Sequence, residues 1–115
     1  MRETTDGLYA KLLYGNLPAL ILALAADRPM HGYAIRRELI ERTAGLIAPS
    51  FGRLYPLLRA LERRGFLARR QVKAGPARVR AVYTITHPGR IELSERRFRW
   101  RRLSAAVNRL LPPDA

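Results

Sequence analysis

Ser50, Gly52, Arg53, Tyr55 and Arg59 fall close together in the segment Pro49-Ser50-Phe51-Gly52-Arg53-Leu54-Tyr55-Pro56-Leu57-Leu58-Arg59. Their chemistry is that of recognising a polyanion. A hydroxyl and free N–H groups at a helix start suit a phosphate. A glycine lets a ligand approach the backbone, and arginine can pair bidentately with guanine O6 and N7. Arg53 is the residue best placed to read a base. Lys73, Arg78 and Arg80 form a second basic group around Gly75-Pro76. Tyr33 could offer its hydroxyl to a phosphate or pack in the core. The bland alternative for both groups is solvation: charge runs on helices and turns are usually wet surface in an arginine-rich chain.

Other chemistries lack their residues. The chain has no Cys, which excludes disulfides, thiolate metal sites and cysteine catalysis. Its two histidines, His31 and His87, have no clustered carboxylates beside them, whereas metal sites need about three or four convergent ligands. His31 reads instead as a helix-start residue hydrogen-bonded locally. The nine carboxylates are scattered, and Glu38, Glu41 and Glu62 lie among arginines where ion pairs account for them. There is no glycine-rich phosphate loop and no Ser-His-Asp order. The expectation is no enzyme, no cofactor and no metal.

The charge balance points the same way. The 115 residues carry 22 Lys+Arg against 9 Asp+Glu, a net +13, and every basic residue except Lys11 and Lys73 is Arg. With 48% hydrophobic residues the chain can bury a real core. A compact body this charged wants a polyanionic partner, either nucleic acid or an anionic membrane surface. No helix combines a wide apolar face with a basic one in the manner of a membrane-surface helix. The longest apolar run, Leu17 to Ala26, has ten residues, half of the roughly 20 needed to span a bilayer. The opening MRETTDG lacks the apolar core of a signal peptide, so a cytoplasmic protein is expected.

Periodicity supplies the elements that must position these groups. Leu8 to Tyr14 has helical character. Asn16 is placed to cap a helix with Pro18 in its first turn, whose buried stripe is Leu13, Leu17, Leu20 and Leu24 with Ile21 beside it. Asp27-Arg28-Pro29 ends it. A second helix opens at His31-Gly32 and stops by Gly45. A third starts at Ser50, buries Leu54, Leu57, Leu58 and Leu61, and closes at Gly65. At about 3.6 residues per turn, Gly52, Pro56, Arg59 and Arg63 fall opposite those leucines, with Arg53 and Tyr55 on the flanks. Pro56 should loosen the first turn. Phe66–Val72 and Val79–Thr86 read as strands of period two, joined by the turn cluster Lys73 to Arg78. Thr86 can cap a last helix from Pro88 to about Leu111, stopped by Pro112-Pro113.

Three helices followed by a basic hairpin make a winged helix-turn-helix: α+β, mainly α, with the third helix for recognition and the hairpin as wing. Residues 1–87 would be the DNA-binding domain with an N-terminal helix, and 88–115 a long C-terminal dimerisation helix. On that helix Leu93, Trp100, Leu103, Val107 and Leu110 step by seven, three, four and three, a heptad seam with Arg96 intruding. So long a helix cannot bury its seam against so small a body, so a second copy is expected.

Several of these residues resemble a known family. Leu20-Ile21-Leu22-Ala23-Leu24, Pro29-Met30-His31-Gly32-Tyr33-Ala34-Ile35, the run from Pro49 to Leu67, and Tyr83-Thr84-Ile85-Thr86-His87-Pro88-Gly89 are similar to the PadR family of bacterial transcriptional regulators. The resemblance spans roughly residues 8 to 111. It implies a homodimer, usually a repressor, on an inverted-repeat operator. In some members such a dimer binds aromatic or planar cationic molecules between the subunits, in a pocket lined by an aromatic residue of the last helix. Trp100, with Phe98 nearby, is the candidate for such an effector, though a tryptophan on a seam is also simple interface packing. The wing departs from the family: where Arg-Arg-Lys-Tyr-Tyr is common, this chain has Val79-Arg80-Ala81-Val82-Tyr83.

The expected partners are therefore double-stranded DNA, a second copy of the chain and a small aromatic effector, with no membrane. The alternative is an architectural or RNA-bound basic protein that uses charge without reading sequence. Charge placement bears on this. Pro49 to Lys73 holds seven basic residues and one acidic, and Pro88 to Leu111 holds seven and two, together 11 of the 13 net charges. The first block suits DNA; the second lies on the proposed dimer helix.

Overall fold

The computed structural model describes Lys11 and residues 14–114. Most of the helical stretch expected from Leu8 to Tyr14, with Leu13 of the expected stripe, lies outside the described residues. Among them the elements run α1 (Leu17–Asp27), β1 (Met30–His31), α2 (Gly32–Arg42), α3 (Phe51–Arg63), β2 (Leu67–Lys73), β3 (Val79–Ile85) and α4 (His87–Leu110). This is a winged helix-turn-helix, α+β and mainly α, with a long C-terminal helix.

The local signals act through identifiable bonds. Ser50 accepts from the Arg53 N–H at the start of α3 (3.2 Å). At its end Phe66 N–H reaches Leu61 O and Gly65 N–H reaches Glu62 O, both at 2.9 Å, with Gly65 at φ +81. That bond pair needs the left-handed residue that glycine supplies. The helix runs through Pro56 without a break. Asn16 stands at the N-cap of α1 with Pro18 just inside, but its side chain makes no capping bond. The expected role of that side chain is not realised; its backbone carbonyl accepts from Leu20 N–H instead.

Val79 opens its strand as the period-two reading has it, and the other three strand boundaries each differ by one residue. Phe66 N–H is spent terminating α3, so β2 starts at Leu67 and runs to Lys73. Thr86 leaves β3 to cap α4, its Oγ1 accepting from Gly89 N–H at 3.1 Å. The sheet also holds a strand that periodicity missed. Met30 and His31 pair antiparallel with Tyr83 and Val82, giving the order β1-β3-β2. Two residues carry no period, and this strand exists only because β3 offers an edge.

The core joins every layer: Ile21 and Leu22 of α1, Ile35 and Leu39 of α2, Leu54, Leu58 and Leu61 of α3, Leu67 and Tyr83 of the sheet, and Leu93 of α4. Each such side chain contributes about 1.5–3 kcal/mol by leaving water. Leu57, expected in the stripe of α3, is only partly buried at its edge. Gly89 lets α4 settle on the root of the wing. A Cβ there would collide with the Phe66 carbonyl oxygen and stand 2.8 Å from Ile85 Cγ1. Anchored here, α4 is 24 residues long in all, about 36 Å, and draws the molecule out to 54 × 33 × 28 Å.

Candidate nucleic-acid interface

The stripe of α3 decides what faces outward. With Leu54, Leu58 and Leu61 buried, Gly52, Arg53, Tyr55, Pro56 and Arg59 are exposed along the N-terminal half of the helix, beside Ser50. Among the described residues a Cβ added to Gly52 would meet nothing nearer than Ser50 Oγ at 3.8 Å. The helix backbone is therefore open to a ligand at that point. None of Arg53, Arg59, Arg63, Lys73 and Arg78 forms an ion pair with a described carboxylate. Arg53 does not extend freely. Its guanidinium lies 4.6 Å from the centroid of the Tyr14 ring, a cation–π contact that holds it against the chain before α1.

Three aromatic rings tie α2 to α3. Tyr33 stacks on Phe51 at 6.0 Å and Phe51 on Tyr55 at 5.6 Å. Arg36 donates through Nε to the Pro49 carbonyl at 2.7 Å and covers the Phe51 ring at 5.1 Å. Tyr33 is thus no core residue: it is 62% exposed. Sequence reasoning missed Phe51, Arg36 and Tyr14. The spacing of Phe51 and Tyr55, four apart on one helix face, was the one available signal.

The wing brings the second basic group alongside. Ala74 N–H bonds to Arg78 O at 2.9 Å to close the hairpin, and Lys73 and Arg78 are exposed at its end. The β1–β3 register then places His31 beside Val82, one residue from Ala81 and two from Arg80. Four of the residues expected to bind DNA, Tyr33, Tyr55, Arg78 and Arg80, line one cleft of about 410 Å³ between α2, α3 and β3. His31 lines it too. Its Nδ1 accepts from Ala34 N–H at 3.0 Å, capping α2 as its sequence position indicates, and its Nε2 lies 2.9 Å from Arg80 Nη1. Burial, first, and then the charges of Arg80 and Arg37 hold the imidazole pKa below its ordinary value. Ser50, Gly52, Arg53 and Arg59 of α3 and Lys73 of the wing lie outside that cleft's lining.

The proposed seam on α4 divides in two. Leu93 is buried in the core of its own chain, so it is not a free seam residue. Trp100, Leu103, Val107 and Leu110 are exposed. Trp100 edges an apolar groove of about 450 Å³ with Leu20, Ala23, Leu46, Ile47 and Leu93. Phe98 does not line it. It lies in a separate hollow with Ser94, Glu95 and Arg99, under Arg102 at 5.7 Å. Two residues apart on a helix, the two rings face different ways. Of the arginine cluster, Arg96 is paired with Glu92 at 2.7 Å and Arg99 with Glu95 at 4.0 Å, and both Arg96 and Arg97 line the groove.

Among the described residues no group of three or more His, Asp or Glu could hold a metal ion, and no helix is long and apolar enough to cross a membrane. The model of the transcriptional regulator PadR-like family matches residues 21–95. No curated protein matches the sequence. Among solved structures, the chain is similar to a PadR family transcriptional regulator from Eggerthella lenta, at 29% identity and a TM-score of 0.81, covering 98% of this chain and 96% of that one. It is similar to a PadR-like transcriptional regulator from Bacillus cereus, at 26% identity and 0.78, covering 90% and 99%. It is also similar to Bacillus subtilis PadR in complex with operator DNA, at 28% identity and 0.64, covering 69% of this chain but only 44% of that one.

Proposed function

Because this chain belongs to the PadR-like family of transcriptional regulators, we propose that it is a sequence-specific binder of double-stranded DNA, a repressor that sits as a homodimer on an inverted-repeat operator. The observation that carries this reading is the exposed half of α3, where Arg53 and Arg59, neither ion-paired with a described carboxylate, follow a glycine whose missing side chain leaves the helix backbone bare. In it α3 enters the major groove, with Arg53 and Arg59 at base edges, and Ser50 and Gly52 close to the backbone. Tyr33, Lys73, Arg78 and Arg80 hold the flanking phosphates and set the register. That Bacillus subtilis PadR was captured with operator DNA supports the same role for this body.

Residues 88–115 supply the dimer contact, through Trp100, Leu103, Val107 and Leu110. Two such subunits would set their α3 helices about 34–36 Å apart, or a multiple of that. A small aromatic effector seated against Trp100 would release the DNA if it binds better to a dimer whose recognition helices are wrongly spaced. No step needs a catalytic residue, a metal or a cofactor.

The test is footprinting on DNA upstream of the protein's own gene. A sharp, two-fold symmetric footprint is expected. Uniform protection of any duplex at moderate salt would make the protein an architectural binder instead.

A further inference from the structure

His31 is faced by two hydrogen-bond donors. Ala34 N–H points at Nδ1 (3.0 Å) and the Arg80 guanidinium at Nε2 (2.9 Å). A neutral imidazole accepts at one nitrogen only, and a guanidinium neither accepts nor loses its proton. With the ring proton on Nε2, the cap on α2 is made and Arg80 confronts an N–H. With the proton on Nδ1, Arg80 is accepted and the Ala34 N–H loses its partner. A doubly protonated ring satisfies neither. Burial and the charges of Arg80 and Arg37 oppose that third state. The cleft around the ring holds Tyr33, Tyr55 and Arg78 and no carboxylate among its lining residues. The group that would satisfy every donor at once is an oxyanion between Nε2–H and Arg80.

We infer that His31 and Arg80 form a binding site for a backbone phosphate of DNA. In it a phosphate oxygen accepts from His31 Nε2–H and from the Arg80 guanidinium, while Nδ1 keeps the cap on α2. Arg78, in the same cleft, adds a second cation. Binding selects one ring tautomer and moves no proton to or from solvent. His31 thereby links two things that the sequence shows separately, the start of α2 and the wing. The inference rests on the DNA-binding reading above, and extends it to a residue that reading does not use.

The test follows the ring nitrogens of His31 by proton–nitrogen correlation spectra of the full chain, free, with a duplex and with inorganic phosphate. Duplex binding is measured in parallel by fluorescence anisotropy. The free protein should report a mixture of tautomers, and both ligands should drive His31 to the Nε2–H form. His31→Asn keeps a side-chain acceptor at the cap position but has no donor where Nε2–H stood. It should fold normally and bind operator and scrambled duplexes about five- to tenfold more weakly, equally for both. A duplex that binds while the His31 nitrogens stay unmoved overturns the inference. If no duplex binds at all, the regulator reading fails instead. The phosphate titration then decides the site alone: a shift to Nε2–H upholds it, and an unmoved ring overturns it.

Discussion

Tyr55 of α3 is packed against Gly32, the first residue of α2: a Cβ at Gly32 would stand 2.8 Å from Tyr55 Cε1 and 2.9 Å from its hydroxyl oxygen. The two helices therefore meet through bare backbone on one side and an aromatic ring on the other. The ring also closes the Tyr33–Phe51–Tyr55 stack. Gly32→Ala should push that ring towards solvent, where it is already partly exposed. The better helix propensity of alanine, about 0.5–1 kcal/mol, offsets much of the strain. Stability should thus stay within about 1 kcal/mol of the wild type, while duplex affinity falls several-fold. Paired melting and anisotropy curves check this. Unchanged affinity would show that the placement of Tyr55 does not matter to DNA.

Gly52 gives the opposite contrast. Among the described residues nothing resists a side chain there, so Gly52→Ala should stabilise the protein by up to about 1 kcal/mol. If DNA needs the bare helix backbone, the same substitution weakens binding at least tenfold. Urea unfolding and duplex titration of one preparation separate the effects. Stabilisation with full affinity would remove Gly52 from the interface.

Much of this arrangement was legible in the sequence, and the rest was not for definite reasons. The leucine stripe of α3 and its end signals at Ser50 and Gly65 are local, so the outward face followed from them. What eluded a local reading is what depends on tertiary pairing. Strand β1 exists only through its register with β3, which also carries Arg80 to His31. Leu93 shares the heptad step of Trp100 and Leu103, yet the close fit of Gly89 on Phe66 draws the first turns of α4 into the core. A step pattern cannot say where along a helix the intramolecular partner stops. Phe98 and Trp100 are neighbours in sequence and lie on different faces, as helix geometry requires.

His31 should also make stability depend on pH. Its folded pKa lies below the ordinary value, through burial and the facing charges of Arg80 on β3 and Arg37 on α2; Tyr33 and Tyr55 share its cleft. As pH falls below about 6.5 the unfolded chain takes up the proton first. The stabilising contribution is therefore complete above that pH, is lost as pH falls towards the folded pKa, and is absent below it. Chemical denaturation between about pH 5 and 8 should show this loss in the wild type and less of it in His31→Asn. Parallel profiles in the two proteins would remove His31 as the cause.

The exposed end of α4 carries the proposed dimer contact. Among the described residues Leu103 and Val107 take no part in the core, so the double substitution Leu103→Glu with Val107→Glu should leave the fold intact and yield a monomer. Sedimentation and circular dichroism read the two properties. Operator affinity should fall sharply, because one recognition helix then binds without its twin. A variant that remains dimeric would place the interface elsewhere on the molecule.

The central claim is that α3 reads sequence, and the ratio of affinities for operator and scrambled duplexes of equal length tests it most directly. At physiological salt the wild type should prefer the operator by about 10³ or more. Each phosphate that it neutralises should add about −0.9 to the log–log salt slope on both duplexes. Arg53→Ala should cut the preference by at least about fivefold, the low end of one bidentate base contact, while the scrambled affinity falls much less. Equal affinities of the wild-type protein for the two duplexes would contradict the account.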